Sequence, residues 1–391
     1  MSLTETHGPE VSQDSTSLGA YPRIIGRARG DQPGPTLITV GAIHGNEPAG
    51  FHAIRRVVES LGSGARSRLR GEFAGITGNR SALALGERFV DEDLNRRWNG
   101  HRLEEVRRNP CRSSEDHERA EIAEAVDEIC NERTPTYLLD LHTTSGPGPS
   151  FVVLEDRLAN RALAFALPVP VVLGLEEEIE GTLTHYLSEK GLVAISFESG
   201  QHEEPKSIDR AEAAIWITLA TVGCLPDDDE RVISARALLS EAFDHLPAVV
   251  DVRYRHAITP DDEFRMLPGF VSFQRIRRGQ HLANDRRGPI LAPNDGLILM
   301  PLYQKKGEDG FFLIRRVSPR WLRVSAIARR ISAERVVHAL PGVRRDPDTP
   351  GQFIVDRRVA RWLTLEVFHL LGFRRRRQTG DYLVMMRRHD D

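Results

Sequence analysis

Short apolar runs alternate with amphipathic stretches along the first part of the chain. Apolar and β-branched residues at 36–42 predict a buried strand that ends in a loop. From Pro48 to Leu61, apolar residues recur at helical spacing, with the proline at the first helical position and Gly62 directly after the last. A strand, a loop and a helix in this order predict the opening unit of an α/β fold.

The same alternation continues to about residue 225. An amphipathic helix is predicted at 114–132, with Ser113 or Ser114 as its N-cap. Further strands are predicted at 71–79, 136–142, 151–154, 169–173 and 192–197. Short apolar strands separated by helices favour an α/β fold with a mostly parallel or mixed sheet and helices on both faces.

Past residue 225 the pattern changes to short β-type runs between glycines and prolines. These runs lie at 248–254, 269–274, 289–292, 296–300 and 310–314. The predicted organisation is a disordered N-terminus, an α/β catalytic domain, a small all-β domain and a basic C-terminal extension, at 1–20, 21–225, 226–317 and 318–391. Within the extension, 359–371 has a helical pattern.

The amino-acid composition favours a globular protein over a membrane-spanning or disulfide-rich secreted one. With 40% hydrophobic and 28% charged residues, the 391-residue chain is typical of a soluble globular protein. No apolar segment approaches the roughly 18 residues of a membrane span, and the N-terminus does not resemble a secretory signal, so a cytoplasmic location is expected. The three cysteines have no close pairing, which indicates reduced thiols. A bound metal would therefore be held by histidines and carboxylates.

Charge is distributed unevenly along the chain. The net charge is −3, but residues 318–391 contain 16 arginines against 8 carboxylates, a net charge of +8, which leaves −11 for residues 1–317. A basic extension can contact nucleic acid or an acidic partner. Because its longest basic run, Arg374–Arg377, has only four residues, a solvated surface is the preferred interpretation. The sequence leaves open whether the chain forms a homo-oligomer.

The first candidate chemistry lies at the end of the strand at 36–42. His44 and Glu47 stand three residues apart in that loop. An imidazole nitrogen and a carboxylate oxygen are two of the three protein ligands that a catalytic Zn²⁺ site needs, with a fourth position left for water. A lone His-x-x-Glu pair is a weak signal, so the interpretation depends on a third ligand elsewhere.

His142 supplies that third ligand, because it ends the predicted strand at 136–142. In open α/β sheets, ligands gather at the carboxyl ends of the strands. His44, Glu47 and His142 therefore predict one Zn²⁺ site per chain, and Asp140 is a candidate to orient an imidazole. The sequence leaves open whether another divalent metal takes the place of zinc.

Glu198 ends another apolar strand and is the candidate general base. A zinc hydrolase usually needs a group that takes a proton from water and later returns it. A glutamate at a strand end is more often a solvated loop residue, but this one is predicted at the same edge of the sheet as both histidines. His202 lies four residues later. It could form part of the pocket wall, but the preferred interpretation is that it is an ordinary residue with no part in the site.

Four motifs in order carry a family resemblance. His44-Gly-Asn-Glu47, Asp93-Leu-Asn95-Arg96, Asp140-Leu-His142 and Glu198-Ser-Gly-Gln201 resemble the succinylglutamate desuccinylase and aspartoacylase family of zinc amidohydrolases, over about residues 35–315. The resemblance implies zinc on the three ligands and Glu198 as base and acid. It also implies that Arg88 polarises the scissile carbonyl, that Asn95 and Arg96 grip a substrate carboxylate, and that Tyr303 contributes from the C-terminal β domain.

An arginine-rich loop beside a zinc site also suits an anionic substrate, because a guanidinium pairs with a carboxylate through two hydrogen bonds. In the alternative interpretation, the carboxylates at 91–93 merely neutralise the arginines in a surface network. The chain departs from aspartoacylases before Glu198, where His185 and Tyr186 stand in a segment that carries an arginine in that group. N-acetylaspartate is therefore not the expected substrate.

The leading hypothesis is a zinc-dependent amidohydrolase that deacylates a small anionic N-acyl amino acid or a similar carboxylate. Glu198 would assist the attack of water on the carbonyl and then protonate the leaving amine. Two alternatives stay open: a carboxypeptidase-like peptidase that acts on short peptides, and a binding or regulatory protein that keeps the fold without turnover.

Overall fold

The computed structural model describes residues 21–62, 68–108, 113–130, 134–241 and 245–330, and parts of 337–387. The strands in these residues are β1 Ile24–Arg29, β2 Gln32–Gly41, β3 Arg70–Thr77, β4 Thr136–Thr144, β5 Phe151–Leu154, β6 Val171–Leu173, β7 Val193–Gln201, β8 Val249–Ala257, β9 Arg265–Met266, β10 Arg275–Ile276, β11 His281–Asp285, β12 Gly288–Leu291, β13 Gly296–Leu299, β14 Asp309–Arg316, β15 Val343–Arg345, β16 Gln352–Asp356, β17 Phe373–Thr379 and β18 Tyr382–Arg387. The α-helices are α1 Ala49–Gly62, α2 Arg80–Leu85, α3 Gly100–Arg108, α4 Ser114–Ile129, α5 Leu158–Ala164, α6 Leu183–Glu189, α7 Lys206–Thr221, α8 Glu230–Glu241 and α9 Pro319–Arg330.

Most strands of the first 320 residues join one mixed sheet. Its order in the described residues is β1-β3-β2-β4-β7-β5-β6-β8-β14-β13-β10. At its centre, β3, β2, β4 and β7 are parallel, while β1 and β5 run antiparallel to their neighbours β3 and β7. The predicted α/β class with a mixed sheet is thus confirmed. Because β2, β4 and β7 are adjacent and parallel, their carboxyl ends meet at one edge.

Helices cover both faces of this sheet, and the alternation of side chains along the strands explains why. On β2, Leu37 packs into a core with α1, α7 and α8, whereas its neighbour Ile38 packs into a second core with α4 and α6. A strand buried on both faces reads as a continuous apolar run. The predicted N-cap of α4 is confirmed, since the Ser113 hydroxyl accepts a hydrogen bond from the backbone N–H of Asp116.

The segment 226–317 is rich in strands, as predicted, but it does not form one separate sheet. Strand β8 pairs in parallel with β6, and β14, β13 and β10 continue the large sheet beyond it. Strands β9, β11 and β12 form a three-stranded sheet of their own. The prediction of a strand at 269–274 was wrong: the chain turns there, and Phe273 has a left-handed backbone with φ of 70°. The domain boundaries themselves stay a prediction.

The C-terminal extension contains the helix α9 and a four-stranded antiparallel sheet of order β15-β16-β18-β17. Phe353, Phe368 and Phe373 pack edge to face in its core. Most of the predicted helix at 359–371, like the predicted disorder at 1–20, lies outside the described residues. Within the described part of the chain, every helix is too short or too polar to traverse a lipid bilayer.

Candidate metal centre and active site

The loop after β2 brings His44 and Glu47 into the interior. It begins at Ala42, whose φ of 60° is left-handed, a conformation that side chains other than glycine rarely adopt and that is found at functional sites. Gly45 then passes so close to the backbone of Ala82 that a Cβ atom would lie 2.1 Å from its carbonyl carbon. The sequence therefore needs glycine between the two functional residues for the loop to fold this way.

His44, Glu47 and His142 converge at the carboxyl ends of β2 and β4. Nδ1 of His44 lies 2.9 Å from Oε1 of Glu47, and Nδ1 of His142 lies 3.2 Å from Oε2. One potential ligand atom from each residue lies within 4.8 Å of the others, and all three residues are buried. The backbone N–H of Thr143 donates to Oε2 of Glu47 at 2.9 Å, which fixes the carboxylate. This donor set can hold a metal ion.

The far nitrogen of each imidazole is held by its own aspartate. Nε2 of His142 lies 2.9 Å from Oδ2 of Asp140, and Nε2 of His44 lies 3.0 Å from Oδ1 of Asp93. Carboxylates that accept the second N–H of an imidazole are the usual outer partners of histidine metal ligands, because they fix the ring and its tautomer. Sequence reasoning found Asp140 but treated Asp93 only as a neutralising charge. Its place in the Asp93-Leu-Asn95-Arg96 motif was the available signal.

The site concentrates negative charge in the interior. Burial opposes the ionisation of Glu47, but His44 and His142 outweigh it and hold the pKa of Glu47 well below its usual range. Burial likewise opposes the charging of His142, yet Asp140 and Glu47 raise its pKa well above the usual value. Carboxylates that favour the protonated form of an imidazole favour a metal cation at the same position for the same electrostatic reason.

Glu198 lies on β7 beside His142 on β4, and the two residues are register partners. It is buried, and its Oε2 atom has no hydrogen-bond partner in the described part of the chain. Burial raises the pKa of Glu198 to about 8, even though His142 acts in the opposite direction. An unpartnered buried carboxyl group with a raised pKa in a cavity is typical of a proton-transferring residue.

Arg88 is buried against two carboxylates. Its Nη1 lies 3.3 Å from Oε1 of Glu47, and its Nη2 lies 3.0 Å from Oδ2 of Asp93. Burial opposes its charge, but Asp93 and Glu47 outweigh that effect and raise the pKa of Arg88. The alternative interpretation was right that Asp93 pairs with this arginine, but the pair is buried and not on the surface, and Arg88 lines the cavity next to a candidate metal ligand.

The loop that carries Arg88 and Asp93 is held by Glu115, in the first turn of α4. Its carboxylate accepts hydrogen bonds from the Asn79 side chain at 2.9 Å and from the backbone N–H groups of residues 90, 91 and 92 at 2.8, 3.0 and 3.2 Å. Four donors on one fully buried carboxylate fix the loop with charge-assisted bonds. No pattern in the sequence indicated this role, since Glu115 resembles an ordinary residue of a helix first turn.

Asn95 and Arg96 both line the cavity. Oδ1 of Asn95 accepts from the backbone N–H of Leu183 at 2.9 Å, which links this loop to the start of α6. Nη2 of Arg96 donates to Oδ2 of Asp309 at 3.0 Å, and Nε of Arg96 is buried without a hydrogen-bond partner among the described residues. Asp309 also pairs with Arg255. Two arginines thus share one aspartate at the start of β14.

The structure brings Tyr303 near the site but not into the cavity wall. Its hydroxyl donates to the backbone carbonyl of Leu267 at 2.8 Å and accepts from the N–H of Phe270 at 2.9 Å. The adjacent side chains Leu302 and Gln304 line the cavity instead. His202 also lines it, contrary to the preferred interpretation.

The cavity that contains these groups has a volume of about 120 Å³. Of the two residues that stand in the segment before Glu198, His185 lines the cavity, while Tyr186 is buried and packs against Trp98. The loop between β13 and β14 supplies one wall, with Met300, Leu302, Gln304, Gly307, Glu308 and Asp309. A cavity of this size suits a small ligand.

Comparisons with known proteins found sequence similarity to one family. Residues 33–219 match the family model of the succinylglutamate desuccinylase/aspartoacylase catalytic domain. A succinylglutamate desuccinylase of Pseudomonas putida is 33% identical over 107 residues, which is 26% of this chain and 31% of that protein. One of Pseudomonas paraeruginosa is 40% identical over 72 residues. The aligned segments therefore span less than a third of the length of these curated relatives.

Solved structures share the fold at low sequence identity. A succinylglutamate desuccinylase/aspartoacylase from Rhodobacter sphaeroides is 16% identical, with a TM-score of 0.56 over 75% of this chain and 88% of that one. The product-bound ectoine utilization protein EutE (DoeB) from Ruegeria pomeroyi is 19% identical, with a TM-score of 0.53 over 73% and 87%. Residues 33–219 are thus similar in sequence to the catalytic domain of the succinylglutamate desuccinylase/aspartoacylase family, and the larger part of the chain shares the fold of solved structures that carry that name.

Proposed function

We propose that this protein is a zinc-dependent hydrolase that cleaves the amide bond of an N-acyl amino acid or a similar small carboxylate. One observation carries the proposal: a buried two-histidine, one-glutamate cluster shares its cavity with an unpartnered buried carboxyl group, Glu198. Three protein ligands with a position left open, next to a proton-transferring group, are the usual elements of a catalytic zinc site.

The donor set fits zinc. Both histidines direct Nδ1 toward Glu47, and both have an aspartate on Nε2, the arrangement that keeps the ring proton of a metal-bound imidazole on Nε2 and leaves Nδ1 for the ion. His44, Glu47 and His142 would hold the ion. When bound, Zn²⁺ supplies Lewis-acid chemistry, polarising a carbonyl group and making water a stronger acid at neutral pH.

Glu198 would move the proton. With its pKa raised to about 8 in the metal-free protein, this carboxyl group is close to the range in which a group can both take and return a proton near neutral pH. A bound cation would lower that pKa and leave a carboxylate ready to act as a base. Glu198 would accept a proton from the attacking water and deliver it to the nitrogen of the leaving amine.

The arginines would recognise the substrate. Arg88 would stabilise the negative charge that develops on the carbonyl oxygen, to which a well-placed donor contributes roughly 3 kcal/mol. Asn95 and Arg96 would bind the substrate carboxylate, supported by the cavity-lining position of both residues. Tyr303 would act only through the loop that it anchors, since its hydroxyl is engaged with the backbone at 267–270.

A substrate panel and metal analysis test this proposal. The purified protein should bind about one equivalent of zinc, lose activity on chelation and regain it when zinc is added back. N-succinyl and N-acetyl amino acids should be hydrolysed at least tenfold faster than dipeptides with the same C-terminal residue. Faster cleavage of dipeptides would make the protein a peptidase, and zinc binding without any turnover would indicate a non-catalytic binding protein.

A further inference from the structure

A series of hydrogen bonds connects the β13–β14 loop to both segments that carry candidate metal ligands, the loop after β2 and the end of β4. Oε1 of Gln304 accepts from Nδ2 of Asn46 at 2.7 Å, and it lies 3.1 Å from Nε2 of His202. Nδ1 of His202 in turn lies 2.7 Å from Oγ1 of Thr143. Asn46 stands between His44 and Glu47 in sequence, and Thr143 follows His142 directly.

The chemistry of the groups fixes the direction of each bond. The carbonyl oxygen of Gln304 can only accept, so Nε2 of His202 carries the proton and donates it. Nδ1 of His202 is then an acceptor, and the Thr143 hydroxyl donates to it. These hydrogen bonds therefore have a consistent set of donors and acceptors, with the Gln304 oxygen as the acceptor shared by Asn46 and His202.

This series of hydrogen bonds ends at Glu47, one of the candidate metal ligands. The backbone N–H of Thr143, whose side chain bonds His202, donates to Oε2 of Glu47 at 2.9 Å. Gln304 and His202 both line the cavity. A displacement of the Gln304 oxygen would therefore free Asn46 on one side of Glu47 and loosen Thr143 on the other.

We propose that Gln304 is a positioning residue whose side-chain oxygen ties together the two ligand-bearing segments, the loop after β2 and the end of β4, so that the C-terminal segment sets the geometry of the metal centre. This inference rests on the proposed function for its effect on catalysis, but the hydrogen-bond chain is independent of turnover. Gln304 lies beyond the matched catalytic domain, which ends at residue 219. Groups that hold ligand-bearing elements in place typically change metal affinity or activity by 10- to 100-fold.

Two substitutions of Gln304 test whether its side-chain oxygen is required or only the length of the side chain. Gln304→Met keeps the length but removes the acceptor, whereas Gln304→Glu keeps an oxygen where both donors meet. Lys305→Met is the matched control, because Lys305 is exposed on the same loop and is outside the cavity lining. Zinc affinity by chelator competition, kcat and KM are measured for all three, and melting temperatures identify any loss of folding.

We expect Gln304→Met to weaken zinc binding and lower kcat by about 10- to 100-fold, with KM changed by less than about threefold. Gln304→Glu should retain both values within about threefold, and Lys305→Met should match the wild type. Wild-type zinc affinity and kcat in Gln304→Met would overturn the proposal. So would equal damage in Gln304→Glu, which would assign the role to the amide nitrogen.

A spectroscopic readout distinguishes failure of this inference from failure of the proposed function. In the metal-free wild type, ¹⁵N shifts should show the His202 ring with its proton on Nε2, and Gln304→Met should lose that preference. An Nδ1–H tautomer in the wild type would refute this series of hydrogen bonds whether or not the protein hydrolyses amides.

If Gln304→Met does not fold, two variants of His202 provide the test. His202→Gln keeps a donor and an acceptor, so it should bind zinc about tenfold more tightly than His202→Leu. Equal affinities would overturn the proposal.

Discussion

The metal-binding part of the site and the wall at 300–309 are built by different means. The candidate metal ligands and Glu198 stand at the ends of β2, β4 and β7, three adjacent parallel strands whose ladders fix their relative positions. The wall comes from a single loop between β13 and β14, which is held to the catalytic loops by side-chain bonds from Gln304, Lys306 and Asp309. Backbone hydrogen bonds between strands thus hold the residues at the strand ends in place, whereas side-chain hydrogen bonds hold this loop.

Because of this difference, we expect substitutions at the strand ends to reduce activity more than substitutions in the wall. Substitutions at strand ends should abolish chemistry or metal binding without disturbing the fold, because the ladder stays intact. Substitutions in the wall should act on positioning and substrate affinity, in proportion to how deeply each bond is buried. The variants below run from the strand ends outward to the most exposed anchor of the loop.

Glu198→Gln should produce the largest loss. The amide has nearly the same shape but cannot accept a proton, so kcat should fall by about 10³-fold, within the range for loss of a general base. Zinc content by elemental analysis should stay at the wild-type level, because Glu198 is not a ligand. Glu203→Gln, the same change at an exposed residue five positions along, is the control. Near-wild-type turnover in zinc-loaded Glu198→Gln would remove the base from the mechanism.

That the ends of β2, β4 and β7 meet could be predicted from the sequence. His44, His142 and Glu198 each follow an apolar run that can only be a buried strand, and adjacent parallel strands must bring their ends together. Hence a local pattern sufficed to assemble residues that lie more than 150 positions apart. Asp93 was placed in the correct motif, but its bond to His44 depends on a loop path that no periodicity encodes.

The wall could not be predicted in the same way. Gln304 and Asp309 lie in a polar loop whose contacts are all distant in sequence, so nothing near them indicates a partner. Tyr303 was selected there by resemblance, and the structure directs its hydroxyl to the backbone at 267–270. Likewise, short β-type runs predicted strands beyond 225, but not that β8 would extend the main sheet, because edge pairing depends on which strand is left uncovered.

Substitution of Asp140 should have the second-largest effect, here on zinc affinity. It is fully buried, and its Oδ2 holds Nε2 of His142. Asp140→Ala leaves that imidazole without its outer partner, so zinc should bind about 100-fold more weakly, while Asp140→Asn keeps an acceptor but loses the charge and should cost about tenfold. Chelator competition measures both, with Asp127→Asn on the exposed side of α4 as the control. Equal affinities for Asn and Ala would mean that the charge alone matters.

Asp309→Asn tests the wall where it meets Arg96. The aspartate accepts from Arg96 and pairs with Arg255, so loss of its charge leaves two arginine side chains less restrained. A hydrogen bond to a charged group contributes about 1.5–3 kcal/mol, and we expect KM for an anionic substrate to rise about tenfold with kcat changed by less than threefold. Glu308→Gln, at an exposed carboxylate 3.7 Å from Arg96, should change KM less than twofold. A fall in kcat alone would place Asp309 in the chemical step.

Lys306→Met should have the smallest effect, although Lys306, like Gln304, holds the β13–β14 loop to its surroundings. Its Nζ donates to the carbonyl of Phe89 at 2.9 Å, pairs with Glu87 at 3.1 Å and lies 4.8 Å from the Phe89 ring centroid. The lysine and Glu87 side chains are 38% and 56% exposed, so water replaces most of what is lost, and such pairs contribute about 0.5 kcal/mol. We expect kcat/KM within about threefold of wild type in 0.1 M salt. A tenfold loss would show that the loop depends on its surface anchors as much as on the buried oxygen of Gln304.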